Sequence, residues 1–425
     1  MRKTVSARAA ALDLLEAVLV ERRFLDDALD TMPTLPERDR AFARLIAATV
    51  LRRLGELDAA LAPCLAKPLP ARAHRTQNVL RIGAAQLLML GTPAHAAVGE
   101  TVDAAHRRLP RPHVGLVNAI LRRVAREGAA LLPVDAIALN TPKWLWRSWS
   151  ERYGEDTCRA IATAHQREAA LDLSVKDGAA AWATRLGGYV LPTGSVRLEN
   201  AGAVLRLDGF DAGVWWVQDA AAALPAKLLG DIRGKHVIDL CAAPGGKTAQ
   251  LAAAGARVTA IDRSPERLAR LTANLKRLGL EAEVIGADAA SWRPPQLADA
   301  VLLDAPCSAT GTIRRHPDIP HLKSPRDVTD AAAAQRKLLE AAIPMVRPGG
   351  ILVYAVCSLQ PEEGEAQIEA LLAKGAPVRR RDVTAPDVGG LRELVSPAGD
   401  LRTLPSHIPE RGGLDGFYAA RLERR

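Results

Sequence analysis

From about residue 230 the chain alternates short runs of apolar, β-type residues with helical segments, and nothing else in the sequence limits its architecture as strongly. The β-type runs stand at His236–Leu240, Arg257–Ile261, Glu283–Ile285, Ala300–Leu303 and Ile351–Val356. Helical segments such as Lys247–Ala254, Pro265–Leu278 and Ala331–Val346 lie between or beside them. Strands that are apolar along their whole length are buried on both faces, and strand–helix alternation makes their pairing parallel. The expected class is therefore α/β, a parallel sheet covered by helices on both sides. Open sheets of this kind hold ligands outside the C-terminal ends of their strands, so the residues just past each strand carry the functional information.

The first strand runs into Asp239-Leu240-Cys241-Ala242-Ala243-Pro244-Gly245-Gly246-Lys247-Thr248. A glycine-rich turn here lets backbone N–H groups approach a ligand closely. The second strand leads to Asp262, 17 residues after Gly245, where a carboxylate can take the two hydroxyls of a ribose. The third is followed by Asp288, placed to reach an adenine edge. Acidic strand ends disfavour a triphosphate or pyrophosphate. A P-loop would need glycine at position 241, which is Cys241, and the order Pro-Gly-Gly-Lys does not match Gly-x-Gly-x-x-Gly. A ligand without phosphates, such as S-adenosylmethionine, fits the acid pattern best.

The fourth strand ends in Asp304-Ala305-Pro306-Cys307-Ser308-Ala309-Thr310-Gly311, the fifth in Val356-Cys357-Ser358-Leu359-Gln360-Pro361-Glu362-Glu363. Adjacent strands would bring the two cysteines near each other at the ligand edge. A helix expected to begin at Pro361 would favour thiolate at Cys357 through its N-terminal dipole. A lone cysteine is more often a small buried apolar residue; two in such flanking sequences are not.

Residues 1–140 read as a bundle of short helices punctuated by proline and glycine, with no strand signal. The chain has 57 basic and 48 acidic residues, a net charge of +9, and 20 basic against 14 acidic residues fall in this first third. That excess favours a polyanionic partner. Arg107, Arg108, Arg111, Arg122, Arg123 and Arg126 form either one basic face or an ordinary solvated one. Residues 143–165 read as helical and carry Trp144, Trp146, Trp149 and Tyr153, either a packing anchor or a base-stacking surface. Short alternating runs over 171–217 suggest a small α+β subdomain. Three domains are thus expected: 1–140, 141–229 and 230–425. Five widely spaced cysteines without a Cys-x-x-Cys pair argue against a disulfide scaffold or a metal site and point to a reducing cytoplasm. No apolar run is long enough to span a membrane. Asp13, Glu16 and Glu21 interrupt the stretch after the basic N-terminus, unlike the apolar run of a signal peptide.

These motifs resemble the bacterial Fmu/Sun family of ribosomal RNA cytosine-5 methyltransferases with a NusB-like N-terminal domain, and within it the methyltransferase B branch. Cys241–Lys247 is similar to the family's cofactor loop and Asp304–Gly311 to its fourth motif, which Ile313–Ile319 continues in the branch's form. Val217-Gln218-Asp219 and Asp415-Gly416-Phe417-Tyr418 resemble its flanking motifs, and Glu100–Asp103 with Gly115–Leu121 a NusB-type bundle. The resemblance covers nearly the whole chain. It implies a Rossmann-like class I methyltransferase domain, S-adenosylmethionine as cofactor, and 16S ribosomal RNA, naked or in an assembling subunit, as partner of a monomer. It implies that Cys241, Ala242, Ala243, Pro244, Gly245, Gly246, Lys247, Asp262, Asp288 and Asp304 line the cofactor site. It also implies that Cys357 is the nucleophile, that Cys307 assists product release, and that Asp304 belongs to the catalytic set. A thiolate adding to carbon 6 of cytosine makes carbon 5 able to attack a methyl sulfonium. Two positions depart from the family pattern: Val356 stands where threonine is common, and Leu173–Asp177 replaces an Arg-Val-Asn segment. The rival readings are the same chemistry on transfer RNA, and a non-catalytic RNA-binding factor.

Overall fold

Ser6 caps the first helix by accepting the Ala9 N–H, and the alanine- and leucine-rich stretch behind it begins an all-helical unit. Its helices are α1 (Ala7–Leu19), α2 (Leu25–Asp30), α3 (Glu37–Arg52), α4 (Leu54–Leu61), α5 (His74–Leu88), α6 (Ala94–Arg108), α7 (Arg111–Glu127), α8 (Lys143–Tyr153) and α9 (Glu155–His165). The computed structural model describes residues 6–199 and 201–425, so the basic start of the chain and Asn200 lie outside the described residues. Two units result: residues up to Arg167 with Arg315–Ser324, and Glu168–Arg314 with Pro325–Arg425.

In the helical unit, Leu12, Leu15 and Val18 of α1 meet Ile46 and Val50 of α3, Leu80 of α5, and Val117, Leu121 and Val124 of α7 in one core. Gly83 permits the close approach of α5 and α7, since a Cβ there would lie 2.4 Å from Leu121 Cδ1. Residues 315–324 belong to this unit through Leu322, buried in the same core. Asp318 accepts the Leu25 N–H at 2.9 Å, and His321 donates from Nε2 to the Leu51 carbonyl at 2.8 Å. Arg107, Arg108, Arg111, Arg122 and Arg126 are exposed, on α6 and α7, and Arg123 is half-buried. The expected single helical run 143–165 is broken at Gly154, whose φ of +83° favours glycine. Trp149 is fully buried against His165, as a packing anchor would be, whereas Trp144 and Trp146 are half-buried.

The second unit contains two sheets. The small one orders β1 (Leu171–Val175), β2 (Tyr189–Val190), β3 (Val196–Leu198) and β4 (Trp215–Val217) as β2-β3-β1-β4, all antiparallel, with α10 (Ala179–Leu186) packed on it. Arg197 and Asp172 form a fully buried two-pronged ion pair at 2.6 and 2.7 Å.

The large sheet contains β5 (His236–Leu240), β6 (Arg257–Asp262), β7 (Glu283–Gly286), β8 (Ala298–Asp304) and β9 (Val346–Val356) in parallel, in the order β9-β8-β5-β6-β7. The helices α11 (Gly246–Ala253), α12 (Pro265–Leu278), α13 (Pro325–Ala342) and α14 (Glu365–Ala373) accompany it. The chain order reverses between β5 and β8, the switch point at which such sheets open a ligand crevice. The sheet is not wholly parallel as expected. β10 (Val378–Arg380), β11 (Leu401–Arg402) and β12 (Tyr418–Arg424) add an antiparallel flank, with β12 paired along β9 from Tyr418↔Val356 to Glu423↔Ile351. The whole is an all-α domain, a small antiparallel sheet and a Rossmann-like α/β domain. Among the described residues no helix is long and apolar enough to cross a membrane.

Candidate active site

The turn from β5 into α11 is shaped by its backbone. Cys241 holds φ near +60° without being a glycine, and Gly245 reaches +102°, which brings the chain round to start α11 at Gly246. Ala242 N–H bonds the Ile261 carbonyl and Gly245 N–H the Ala242 carbonyl, at 3.0 and 2.9 Å. Asp262, at the end of β6 and buried, holds the same loop: Oδ2 accepts the Ala243 N–H at 3.1 Å and Oδ1 the Ser264 N–H at 3.0 Å. Arg267 lies 3.4 Å from Asp262 Oδ2 and donates to the Ala243 carbonyl. Asp288 is exposed beyond β7, with Oδ1 accepting the Ala290 N–H at 3.0 Å. Deeper, Asp239 is fully buried and accepts the Thr248 hydroxyl at 2.6 Å. Burial raises its pKa to about 7; Asp304 adds to the rise, while Thr248 and Lys247 oppose it.

Three cysteines stand at these strand ends, but not in like surroundings. Burial, then the charges of Asp262, Asp304 and Asp239, push the Cys241 thiol up to about 12, which keeps it protonated and unreactive. Cys307 and Cys357 lie on neighbouring loops with their sulfurs 3.3 Å apart, both partly exposed. The contact with Cys357, burial, and the charges of Cys357 and Glu363 together hold the Cys307 thiol well above its usual range. Lys247 Nζ lies 2.8 Å from Asp304 Oδ2 and 5.2 Å from the centre of the Phe417 ring. Burial alone would depress the lysine pKa; the charge and hydrogen bond of Asp304, with Cys357 and Asp239, outweigh burial and raise it. The site thus joins a sulfur pair to a held ammonium–carboxylate pair at the crevice of the sheet.

The helix expected at Pro361 is absent. Residues 361–364 form a turn and α14 starts at Glu365, eight residues past Cys357, because Gly364 (φ −106°, ψ −105°) is not helical. Its dipole is therefore not aimed at Cys357 from the place assumed. Val356 is fully buried in the core, where threonine would have offered a hydroxyl. Several contributors do not stand out in the sequence as individual residues. Arg314, buried, lies 3.0 Å from Asp415 and 3.7 Å from Asp219, tying three separated motifs together. Gly311 passes so close to Gly416 that a Cβ would meet the Gly416 carbonyl at 1.8 Å. Phe417 and Glu363 complete the set. All lie inside the motif stretches, but only the strand order shows that they converge.

Residues 226–423 match the family model for 16S rRNA methyltransferase RsmB/F, and residues 5–126 match the NusB family. The ribosomal RNA small subunit methyltransferase B of Erwinia tasmaniensis is 35% identical over 450 residues, covering the whole of both chains. That of Salmonella typhi is 36% identical over 452, again end to end. The chain belongs to the RsmB/F family of 16S rRNA methyltransferases. Among solved structures, PH0851 superposes with a TM-score of 0.75 at 21% identity, over 98% of this chain and 99% of that one. NSun6 from Pyrococcus horikoshii, solved with SFG, gives 0.52 at 20% identity, over 67% and 98%. These two establish the fold. RsmB/F enzymes depend on S-adenosylmethionine, and the loop fits such a ligand by its donor set: carboxylates at or just past the ends of β6, β7 and β8 suit hydroxyls and a sulfonium and repel phosphate.

Proposed function

We propose that the chain methylates carbon 5 of a cytosine in 16S ribosomal RNA, with Cys357 as the attacking sulfur, Cys307 assisting release and Asp304 steadying the base. The observation that carries this reading is the 3.3 Å Cys307–Cys357 sulfur pair beside the Lys247–Asp304 ion pair. When bound, S-adenosylmethionine supplies a methyl group made electrophilic by its sulfonium.

The Cys357 thiolate adds to carbon 6 of the cytosine, and the electron pair of the 5,6 double bond makes carbon 5 nucleophilic. Asp304, held by Lys247, faces the N3 side of the ring and balances the charge that develops there. After methyl transfer, Cys307 in its thiolate form takes the carbon 5 proton and becomes a thiol. The carbon 5 electrons then re-form the double bond and expel the Cys357 sulfur. Residues 241–247 with Asp262 and Asp288 hold the cofactor, Asp262 through the ribose hydroxyls and Asp288 through the adenine edge. Residues 1–140 and 141–229 hold the RNA by phosphate contacts and present an unstacked cytosine to the catalytic segment 230–425. The chain works as a monomer in the cytoplasm, on naked RNA or an assembling small subunit.

Bisulfite sequencing of ribosomal and transfer RNA, each incubated with purified protein and S-adenosylmethionine, tests reaction and target together. The expected result is a newly protected cytosine in 16S RNA. Protection confined to transfer RNA would reassign the substrate, and protection in neither would favour a binding factor without catalysis.

A further inference from the structure

The two cysteines are each followed by a serine, and the two Cys-Ser dipeptides turn opposite ends to different tasks. The sulfurs face each other at 3.3 Å. The Ser308 and Ser358 hydroxyls, 3.2 Å apart and fully buried, both donate to one oxygen of Glu363, Oε2, each at 2.5 Å. The other oxygen, Oε1, accepts the Ser308 N–H at 2.7 Å and the Gln335 amide at 3.1 Å. Glu363 is itself fully buried, and its backbone carbonyl accepts the Tyr354 hydroxyl at 2.6 Å. Four donors reach one carboxylate, which fills its acceptor capacity without a cation. Thr310 lies 3.2 Å from the Ser358 hydroxyl and accepts the Leu359 N–H at 3.1 Å, while Gly311 N–H reaches the Cys357 carbonyl at 3.1 Å.

We propose that Glu363 is the positioning residue for both sulfurs: by holding the two serines it fixes the separation at which one cysteine attacks and the other completes release. The inference rests on the roles proposed for Cys357 and Cys307 and goes beyond them, because it makes the timing of the two steps depend on a side chain that touches neither sulfur. Its negative charge also contributes to keeping the proton on Cys307.

Glu363→Gln is the sharpest probe. The Ser308 N–H can only donate, so the glutamine oxygen must take the Oε1 place, and its NH₂ then faces two hydroxyls that can turn to accept. The shape is kept, while the charge and two of the four bonds change. The expected result is a kcat lower by about 10- to 100-fold with the KM for RNA little changed, the usual scale for misplacing a reacting group. A denaturation-resistant RNA–protein adduct should accumulate, because release lags attack, as it should in Cys307→Ala. The limb of the pH–rate profile set by Cys307 should move to lower pH once the neighbouring negative charge is gone. A merely structural role would lower the melting temperature or the number of active sites, yet leave kcat per active site, adduct level and pH profile as in the wild type; that result overturns the proposal. If Glu363→Gln does not fold, Ser308→Ala, Ser358→Ala and the double variant serve instead. Coupled losses of kcat with adduct accumulation support a shared clamp, and additive losses without adduct refute it. Cys357→Ala separates the two layers: if it keeps turnover, the cysteine roles fail. If it is inactive while Glu363→Gln behaves as wild type, only the role of Glu363 fails.

Discussion

Beyond β5 and β6 the chain makes its cradle from backbone: a left-handed Cys241, a Gly245 that no other residue suits, and amides satisfied by Asp262. Beyond β8 and β9 it uses side chains instead, with Ser308, Ser358, Thr310 and Gln335 gathered around or beside Glu363. Under the proposed function the two loops serve different needs. A ligand recognised by its hydroxyls and ring edges requires a fixed concave surface, which backbone supplies and side-chain substitutions only tune. Two sulfurs that act in sequence must keep a set distance while the covalent partner of one of them changes. The proposed clamp would meet that demand through hydrogen bonds that hold both loops to one buried group.

The contrast predicts that substitutions on the sulfur side act on kcat and those on the cradle side act on cofactor binding. Cys357→Ala should give the largest effect, a loss of methyl transfer of at least about 10³-fold with RNA affinity little changed. Methyl incorporation from labelled cofactor, measured beside RNA binding, checks it, and near-normal incorporation removes Cys357 from the mechanism. Lys247→Met comes next. It leaves Asp304 without the ammonium 2.8 Å away, and kcat should fall by about 10²-fold, the scale of losing one electrostatic partner at a reacting centre. Single-turnover rates at saturating cofactor isolate that step, and a change confined to cofactor KM would leave Lys247 with only the cofactor role it shares with residues 241–246. Asp262→Ala should instead raise the KM for S-adenosylmethionine about 10-fold while kcat at saturation stays within a few-fold, since one charge-assisted bond is worth roughly 1.5–3 kcal/mol. A fall in kcat with unchanged KM would erase the distinction between the two loops.

The cradle is legible in the sequence because its parts are contiguous: Cys241–Lys247 is one run, and Asp262 and Asp304 each end an apolar strand. The sulfur pair is also legible once two strands ending in cysteine are taken as neighbours. The hidden features depend on long-range pairing. The antiparallel flank gives no sequence signal because β10 and β11 are only three and two residues long, and β12 shows its partner only in register with β9. The turn at 361–364 reads as a helix start because Pro-Glu-Glu is a good first turn by local propensity. The tertiary bonds to Glu363 override that propensity. The convergence of Asp219, Arg314 and Asp415 likewise needs the fold, since nearly two hundred residues separate the two carboxylates.

The smallest effect concerns Asp239, which lies under the cradle and serves it through Thr248. Folding raises its pKa from 3.8 to about 7, so the native state binds its proton more tightly than the unfolded chain does. The stability it contributes is fully present below the unfolded value and is lost as pH rises through the folded one. Asp239→Asn should therefore gain in melting temperature relative to the wild type as pH rises from about 5 to 8. The amide oxygen can still accept the Thr248 hydroxyl. The new NH₂ beside the unpartnered Oδ1 position adds an offset that does not change with pH. Because other titrating groups are common to both proteins, the difference between their melting curves isolates Asp239. A difference that stays flat across this range would show that the carboxylate already ionises at its ordinary pH in the fold. The cradle would then rest on a charged floor rather than a neutral one.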